Sequence, residues 1–439
     1  MSSQFRVGII GGGTGGLCLA QALLKSGVQV AVYERSGVRT DRLQGYRVHI
    51  NPKGSRALHE CLPPDQWRAF VETCGSPGGA FGFVNEQLKE LLLIEDDLTS
   101  GVDRDPARSH HSVSRITLHQ VLSAGLADVL HLDKEFTRYD RAADGTITCR
   151  FADGTTATAD VLVGADGANS RVCRQYLPQA RRIDTGIRAI AGKLPLTEEA
   201  RKLLPQRLQA GANNVLPPSG CGMFIAPHDL AGSLLSAGNG VGGNDPSAAH
   251  GVHFDNTTSY VMWAYAANRG KYPCSEDELS TLDGSGLREL AGRQIAGWHS
   301  DLRRMVAETP VETVTLLPIR TSVAVKQWKT TNVTVLGDAI HSMTPFRGIG
   351  ANTALRDAQS LARNLIAAAE GRQELTAAIR DYETQMIDYG FGAVRLSLRT
   401  AEQTISNNWI GRSMFKAALR VFGVVPPLKR KVFADLGND

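Results

Sequence analysis

The stretch Phe5–Glu34 constrains the fold more than any other part of the chain, because it lays out strand, glycine-rich turn, helix and strand in that order. Phe5–Ile10 (FRVGII) is a short apolar run bounded by glycines and reads as a fully buried strand. Leu17–Lys25 has helical composition and Gly27 ends it; Val28–Tyr33 (VQVAVY) is the next strand. Two strands joined by such a crossover helix lie parallel, which makes the chain α/β. The turn Gly11-Gly12-Gly13-Thr14-Gly15-Gly16 fits G-x-G-x-x-G. The match is weak alone, but here it leaves a strand and opens a helix. Gly11 then permits the tight turn and Gly13 lets backbone approach a pyrophosphate. Gly16 allows close helix–strand packing, with Thr14 and Gly15 before it at the helix start. Glu34, with Arg35 beside it, ends the second strand, where a carboxylate accepts hydrogen bonds from ribose hydroxyls. An acidic residue there favours an unphosphorylated ribose, as in FAD or NAD.

The 439 residues suffice for two or three domains of ~150 residues. Ser114–Leu130 reads as another helix, and Ile147–Phe151 and Ala157–Val163 as hairpin-like strands around Ala152-Asp153-Gly154. From Ile183 to Pro273, strands alternate with Gly, Pro and Asn breaks and no long helix intervenes, so a second domain on an antiparallel sheet is expected. Leu282–Val306 is helical, Glu312–Trp328 holds short strands leading back to the first domain, and the chain from Ala351 is helical apart from Gly423–Pro427. The expected division is 1–182, with excursions toward the second domain around 45–110, then 183–310 as the substrate domain, 311–375 returning to the first, and 376–439 as a helical C-terminal region. A second G-x-G-x-x-G, Gly238–Gly243, precedes Asn244-Asp245-Pro246, which opposes a helix, and it reads as a loop. A net charge of +4 is too small and dispersed to suit nucleic acid. No secretory signal is legible at the N-terminus, and no apolar run is long enough to span a membrane. Seven cysteines without a C-x-x-C pair suit reduced thiols, so a cytoplasmic location is expected.

Two later segments point the same way as the glycine loop. Asn332–Leu336 (NVTVL) reads as a buried strand entering Gly337-Asp338, followed by a Pro/Gly-rich turn and a long Ala/Leu-rich helix from near Ala351. This puts a carboxylate at a strand end and bare N–H groups at a helix N-terminus beside one ligand. Asp338 suits the hydroxyls of a polyol, and the helix dipole suits a ring that becomes anionic on reduction. A flavin has both parts. Asp160–Arg174 (DVLVGADGANSRVCR) ends a strand in Gly164-Ala165-Asp166-Gly167, with Ser170 and Arg174 at fixed offsets. In order, from Gly11 to Asn352, the three segments resemble the motifs of the single-component (class A) FAD-dependent flavoprotein monooxygenases, the aromatic hydroxylases.

The resemblance implies a Rossmann-like FAD domain of the glutathione-reductase kind, non-covalent FAD, and NADPH or NADH as electron donor. It implies transfer of one atom of O2 to a small molecule through a C4a-(hydro)peroxyflavin. It places Asp166 near FAD, Arg115 against the FAD phosphate or ribityl region, and Asp338, Pro345, Gly348, Gly350, Ala351 and Asn352 along the flavin. The N–H groups of Gly350, Ala351 and Asn352 are candidates to hold the pyrimidine oxygen. Ile340, Ser342, Arg347 and Ile349 depart from the family pattern, which leaves substrate and reaction outcome open.

Such a cofactor carries the hard chemistry, so no catalytic triad is required. The candidates for substrate contact are Arg347, in the turn feeding the helix, and Tyr265 and Met223. These two lie on the strands Tyr260–Tyr265 and Gly222–Ile225, whose large side chains either pack the core or line a pocket for a bulky aromatic or apolar molecule. His341 is expected to be a packed, hydrogen-bonded residue, and His110-His111 a solvated loop pair. The W-x-W-x-I-P motif of the flavin halogenases does not occur. An FAD dehydrogenase or oxidase without oxygen transfer, and a flavin-binding partner without turnover, are the competing readings. A monomer or a homodimer would serve. Within Asn407–Phe433, Phe415, Leu419 and Phe422 share one helix face before Gly423 and Pro426-Pro427 break the helix. That face is expected to pack on a domain, in preference to a weak hold on a membrane surface.

Overall fold

The computed structural model describes residues 5–37, 47–74, 80–95, 105–218, 220–228, 259–425 and 429. The Gly238–Gly243 loop lies outside them. Five parallel strands form the first sheet, in the order Val333–Val335, Val161–Gly164, Arg6–Ile10, Gln29–Tyr33, Leu130–His131. Helices cover this sheet, so its strands carry near-continuous apolar runs rather than alternating ones. Val161, Leu162 and Val163 are all fully buried, and they share one core with Leu17 and Leu19 of the helix Thr14–Lys25 and with Leu355 and Leu361 of the helix Gly350–Ala369. The register pairs Ile10 with both Tyr33 and Gly164, and Gly164 with Val335. The carboxyl ends of four strands therefore line up. From them emerge Gly11–Gly13, Glu34, Ala165-Asp166 and Gly337-Asp338, at the edge where open α/β sheets bind ligands.

The second sheet has seven strands, in the order Thr315–Ser322, Arg182–Pro195, Tyr260–Asn268, Cys221–His228, Ala212–Leu216, Ala80–Asn85, Glu90–Glu95. All neighbours run antiparallel except the Ala212–Leu216 and Ala80–Asn85 pair. Its strands alternate, as a sheet with two different faces requires. Met223, Ile225, Val261, Trp263 and Tyr265 point into a core shared with the helices Gly284–Gln294 and Ser300–Ala307. Phe224, Met262 and Ala264 lie half-buried on the opposite face. That face meets the first sheet's helices: Ile187, Ala189, Ala266 and Ile319 pack on Ala401 and Ile405 and on Phe346.

Local chemistry explains where elements depart from the sequence expectation. The helix expected over Ser114–Leu130 stops at Ser123, because Ala124 turns extended and Gly125 takes φ +71°. Leu130–His131 becomes the edge strand of the first sheet instead. The run Ala157–Val163 divides at Asp160. Thr156–Ala159 closes a hairpin with Ile147–Phe151, while Val161–Gly164 enters the parallel sheet. The Asp160 carboxylate holds the division by accepting from the Arg6 backbone N–H at 2.7 Å. Leu282–Val306 is two helices, interrupted after Gln294.

The helix Leu375–Thr404 spans both sheets. Its Tyr382 hydroxyl donates to the carbonyl of Val335 (2.9 Å), and its Ala401 packs on the second sheet. The same helix carries a fully buried carboxyl, Glu383, which accepts from the hydroxyls of Thr330 (2.6 Å) and Thr334 (3.0 Å). Burial pushes its pKa up from 4.5 to about 7, although the two hydroxyls draw it down. A carboxyl whose folded pKa is raised holds its proton more tightly in the folded state. Its stabilising contribution is complete below the unfolded pKa and is lost as pH rises through about 7. Thermal unfolding from about pH 5 to about pH 8 should therefore show wild type losing up to ~3 kcal/mol that Glu383→Gln does not lose. Parallel pH profiles for the two proteins would remove this role from Glu383.

Candidate active site

The glycine loop is shaped by close approach at some positions and by openness at one. Gly11 sits at φ +111°, and a Cβ there would lie 2.3 Å from the carbonyl oxygen of Ala165. A Cβ on Gly16 would lie 2.2 Å from the carbonyl oxygen of Gly11, and one on Gly15 would lie 2.6 Å from Leu336 Cδ1. These three fasten the loop to the strand, to the second motif and to the third. Gly13 differs: it is exposed, and nothing stands within 4 Å of its Cβ position. Glu34 closes the loop from the other side. Its Oε2 accepts from the N–H of Gly12 (2.8 Å) and its Oε1 from that of Ser36 (3.0 Å), with Arg35 exposed alongside. Nε2 of His119 lies 3.0 Å from the Gly12 carbonyl oxygen and ties the helix Arg115–Ser123 to the loop. Arg115 opens that helix, exposed, next to the capping residue Ser114.

Asp166 spends its carboxylate on its own turn. Oδ1 accepts from the Ser170 hydroxyl (2.5 Å) and Oδ2 from the Arg171 N–H (2.7 Å), while burial raises its pKa against these bonds. Its backbone lies against Gly11, so the residue shapes the floor of the loop.

The third motif is built on a buried acid. Gly337, at φ +63°, donates its N–H to Oδ2 of Asp357 (2.7 Å). The same oxygen meets Nε2 of His341 at 2.7 Å, and Oδ1 accepts from the Tyr389 hydroxyl (2.6 Å). His341 is thus a packed, hydrogen-bonded residue, as its sequence context suggests. Burial pulls its pKa down, but the charge and hydrogen bond of Asp357 outweigh that, and the net direction is up. Asp338 follows directly and is solvent-accessible. Protein around it raises its pKa by loss of bulk water, while His341, Arg182 and Arg115 draw it back. Arg182 is the residue that sequence reasoning missed here. Its only signal is a pair of arginines where the sequence leads one to expect the first domain to end. It donates to the Ala168 carbonyl (3.0 Å), its buried Nε has no partner among the described residues, and Asp338 is the charge that supports it.

Beyond Asp338, Pro345–Arg347 forms a single tight turn and Gly348 takes φ +63°. Pro345 and Gly348 are exposed and Arg347 is half-buried. The 20-residue helix Gly350–Ala369 then begins after Ile349, with no side chain capping it. The helix Thr14–Lys25 likewise starts uncapped after Gly13. Ser114, Ser170, Ser275, Asp283 and Asn408 cap their helices, while Pro64–Thr73 and Gln206–Ala210, away from this edge, also start without a side-chain cap. First-turn N–H groups, here those of Gly350, Ala351 and Asn352, have no acceptor within their helix and carry the positive end of its dipole. The Asn352 side chain is occupied otherwise. It accepts from the Asn51 N–H (2.9 Å) and donates to the His49 carbonyl (2.8 Å). Two uncapped helix starts, an accessible carboxylate and a cation pair are the donor and acceptor set that a negatively charged dinucleotide with a polyol linker requires.

The fold does not bring every expected residue to this place. Tyr265 and Met223 are buried in the core on the far face of the seven-stranded sheet, where the Tyr265 hydroxyl donates to Gln294 Oε1 (3.3 Å). Their neighbours in the same strands, Phe224 and Met262, stand on the face toward Phe346. Alternation signalled two faces but not which one met the site. His110 and His111 are buried rather than solvated. Nε2–H of His111 donates to the Pro106 carbonyl (2.7 Å) and the ring packs on Phe70, and burial lowers its pKa.

Comparison with known proteins fits this geometry. A family model described as FAD binding domain matches residues 289–395, and one described as NAD(P)-binding Rossmann-like domain matches residues 9–73. The solved structure of a candidate FAD-containing monooxygenase from Photorhabdus luminescens subsp. laumondii is 36% identical, with a TM-score of 0.78 over 91% of this chain and 98% of that one. The chain belongs to the FAD-dependent monooxygenases. Within that family, 3-amino-4-hydroxybenzoate 2-monooxygenase PtnB3 of Streptomyces platensis is 28% identical over 86% of this chain and 83% of its own length. The dual O-methyltransferase/FAD-dependent monooxygenase elcB of Phaeosphaeria nodorum is also 28% identical, over 83% of this chain but only 41% of its own length. The chain spans less than half the length of such dual relatives.

The loop geometry separates two roles that one motif combines. Gly16→Ala should lower the melting temperature of the flavin-free protein by several degrees, because the new methyl meets backbone. Gly13→Ala should leave it within ~0.5 kcal/mol of wild type while reducing FAD occupancy, read from flavin absorbance after gel filtration. Equal melting and equal FAD content in the Gly13 variant would detach Gly13 from the cofactor.

For Asp338, the Ala variant should retain less FAD than the Asn variant. Asn still accepts a hydroxyl hydrogen bond and forgoes only the charge-assisted part, ~1–2 kcal/mol. Wild-type FAD occupancy in both variants would take Asp338 out of the site.

Proposed function

We propose that the chain uses NADPH or NADH to reduce bound FAD and inserts one atom of O2 into an aromatic or bulky apolar small molecule. The observation that supports this most directly is the uncapped start of the helix Gly350–Ala369, beside Asp338 and below the apolar sheet face. When bound, FAD supplies hydride acceptance and oxygen activation. The chain supplies position and polarity. In this reading Glu34 accepts from the adenosine ribose. The helix start at Gly13–Gly16 takes the pyrophosphate, Arg115 reaches a phosphate, and Asp338 accepts from the ribityl chain. The N–H groups of Gly350, Ala351 and Asn352 meet the pyrimidine oxygen, where the helix dipole stabilises negative charge.

The seven-stranded sheet is the substrate platform in this proposal. Phe224 and Met262 offer an aromatic and a polarisable wall, which suits a flat or bulky apolar ring. Phe346, packed with Leu317 and Ile319, keeps water from that side. Arg347, in the turn between flavin and sheet, suits an acidic substituent. A relative named for hydroxylating an aminohydroxybenzoate is in keeping with that pairing of ring and carboxylate.

The test has two stages. Anaerobic mixing with NADPH or NADH should bleach the flavin absorbance, faster when an aromatic acid that binds is present. Aerobic turnover under labelled O2 should then yield a product containing one heavy oxygen atom. A desaturated product without label would establish a dehydrogenase or oxidase, and absence of flavin reduction by either nucleotide would leave a flavin-binding protein without this chemistry.

A further inference from the structure

Large apolar side chains are exposed at few places among the described residues, and most of those places are on one helix. Besides Leu24 and Ile183, the set is Trp409, Ile410, Met414, Phe415, Val421, Val424 and Val425, all on or at the end of the helix Trp409–Val424. The helix has two opposed apolar faces. Arg412, Phe415, Leu419 and Phe422 face the protein. Leu419 is buried with Leu91, Leu92 and Leu216, the Phe415 ring meets Phe83 edge-on, and Arg412 donates to the carbonyls of Pro217 (3.1 Å) and Cys221 (2.7 Å). Lys416 pairs with Glu86 at 3.6 Å. Phe415 nonetheless stays 49% exposed at the edge of this docked face. Ile410, Met414, Ala417, Val421 and Val424 follow i, i+4, i+7, i+11, i+14 on the side facing away. Met414 is 69% exposed and Val424 81%.

Charge selects among occupants for that stripe. From Trp409 to Ala434 the chain contains no Asp or Glu; Arg412 and Lys416 are used on the inner face, Arg420 lies on the helix away from it, and Lys429, Arg430 and Lys431 follow in the sequence. Arg420 is exposed along one edge of the stripe, on the side where Trp409 also lies. A second copy of the same helix would set cations against cations. An anionic lipid surface would receive both the apolar stripe and the charges, with an indole at the edge where indoles favour the headgroup level. We propose that the helix Trp409–Val424 docks the protein peripherally on anionic membrane surfaces, its outer stripe lying in the headgroup boundary and its inner face fixed to the seven-stranded sheet.

Such docking anchors without spanning, and no helix among the described residues is long and apolar enough to cross a membrane. It also brings strands Ala80–Asn85 and Glu90–Glu95, on which the helix rests, close to the lipid. The test is co-sedimentation of the full chain with vesicles of phosphatidylcholine alone and of equal parts phosphatidylcholine and phosphatidylglycerol. Wild type should pellet with the mixed vesicles and be released by raised salt. The doubly substituted Met414→Asp, Val421→Asp protein should bind about tenfold less, at unchanged melting temperature and FAD content, because both residues are exposed. Arg420→Gln, which leaves the apolar stripe intact, should weaken binding and its salt dependence. Wild type that ignores the anionic vesicles overturns the proposal. So does self-association in solution, measured by light scattering, that the Met414→Asp, Val421→Asp change abolishes, since the stripe would then be a contact between copies.

Discussion

One buried carboxylate, Asp357, holds the third motif in its shape. Its two oxygens take hydrogens from the Gly337 backbone, the His341 ring and the Tyr389 hydroxyl, so a strand end, a short helix and two long helices meet at one charge. Bonds to a buried charge are worth ~1.5–3 kcal/mol each, and removing one donor would leave part of that charge without compensation. The acid thereby fixes the left-handed turn at Gly337, and the turn aims Asp338 out of the core into the open edge of the sheet. Arg356 lies over the Tyr389 ring at 3.8 Å and closes the assembly from outside. Everything proposed for the flavin side of the site depends on that turn being rigid.

A second constraint is that one polar side chain often serves two elements. Asn352 stands in the first turn of a helix yet clamps the strand Arg47–Ile50 and the residue that follows it. Asn51 in turn caps the helix Pro52–Cys61 through the N–H groups of Lys53 and Gly54. A Cβ on Gly54 would lie 2.3 Å from Asn352 Oδ1, so the contact admits only glycine. These links tie the strand Arg47–Ile50, the helix Pro52–Cys61 and the start of the helix Gly350–Ala369 together.

The parts of this architecture that were legible in the sequence are those where local chemistry and tertiary need coincide. The glycine loop, the strand ending at Glu34 and the strand entering Asp338 each announce themselves within a few residues, and the alignment of their strands brings them to one edge. Arg182 and Asp357 were not legible, because their partners lie far away along the chain and an arginine or aspartate looks the same whether buried or solvated. Met223 and Tyr265 show a different limit. A period of two reveals that a strand has two faces, but the choice of face depends on which layer the other elements occupy. The helix ending at Ser123 illustrates a third: Gly125 carried the stop signal inside an otherwise helical composition.

The order of strands in the first sheet has a consequence for how the chain is made. Arg6–Ile10 and Val161–Gly164 both precede residue 165, but the neighbour of Val161–Gly164, Val333–Val335, is synthesised last of the five. At ordinary elongation rates the interval is on the order of tens of seconds. During it Val161–Gly164, all apolar but for its glycine, is an open edge, and such edges recruit foreign strands. Until Val333–Val335 leaves the ribosome, that edge lacks the strand that covers it in the folded protein.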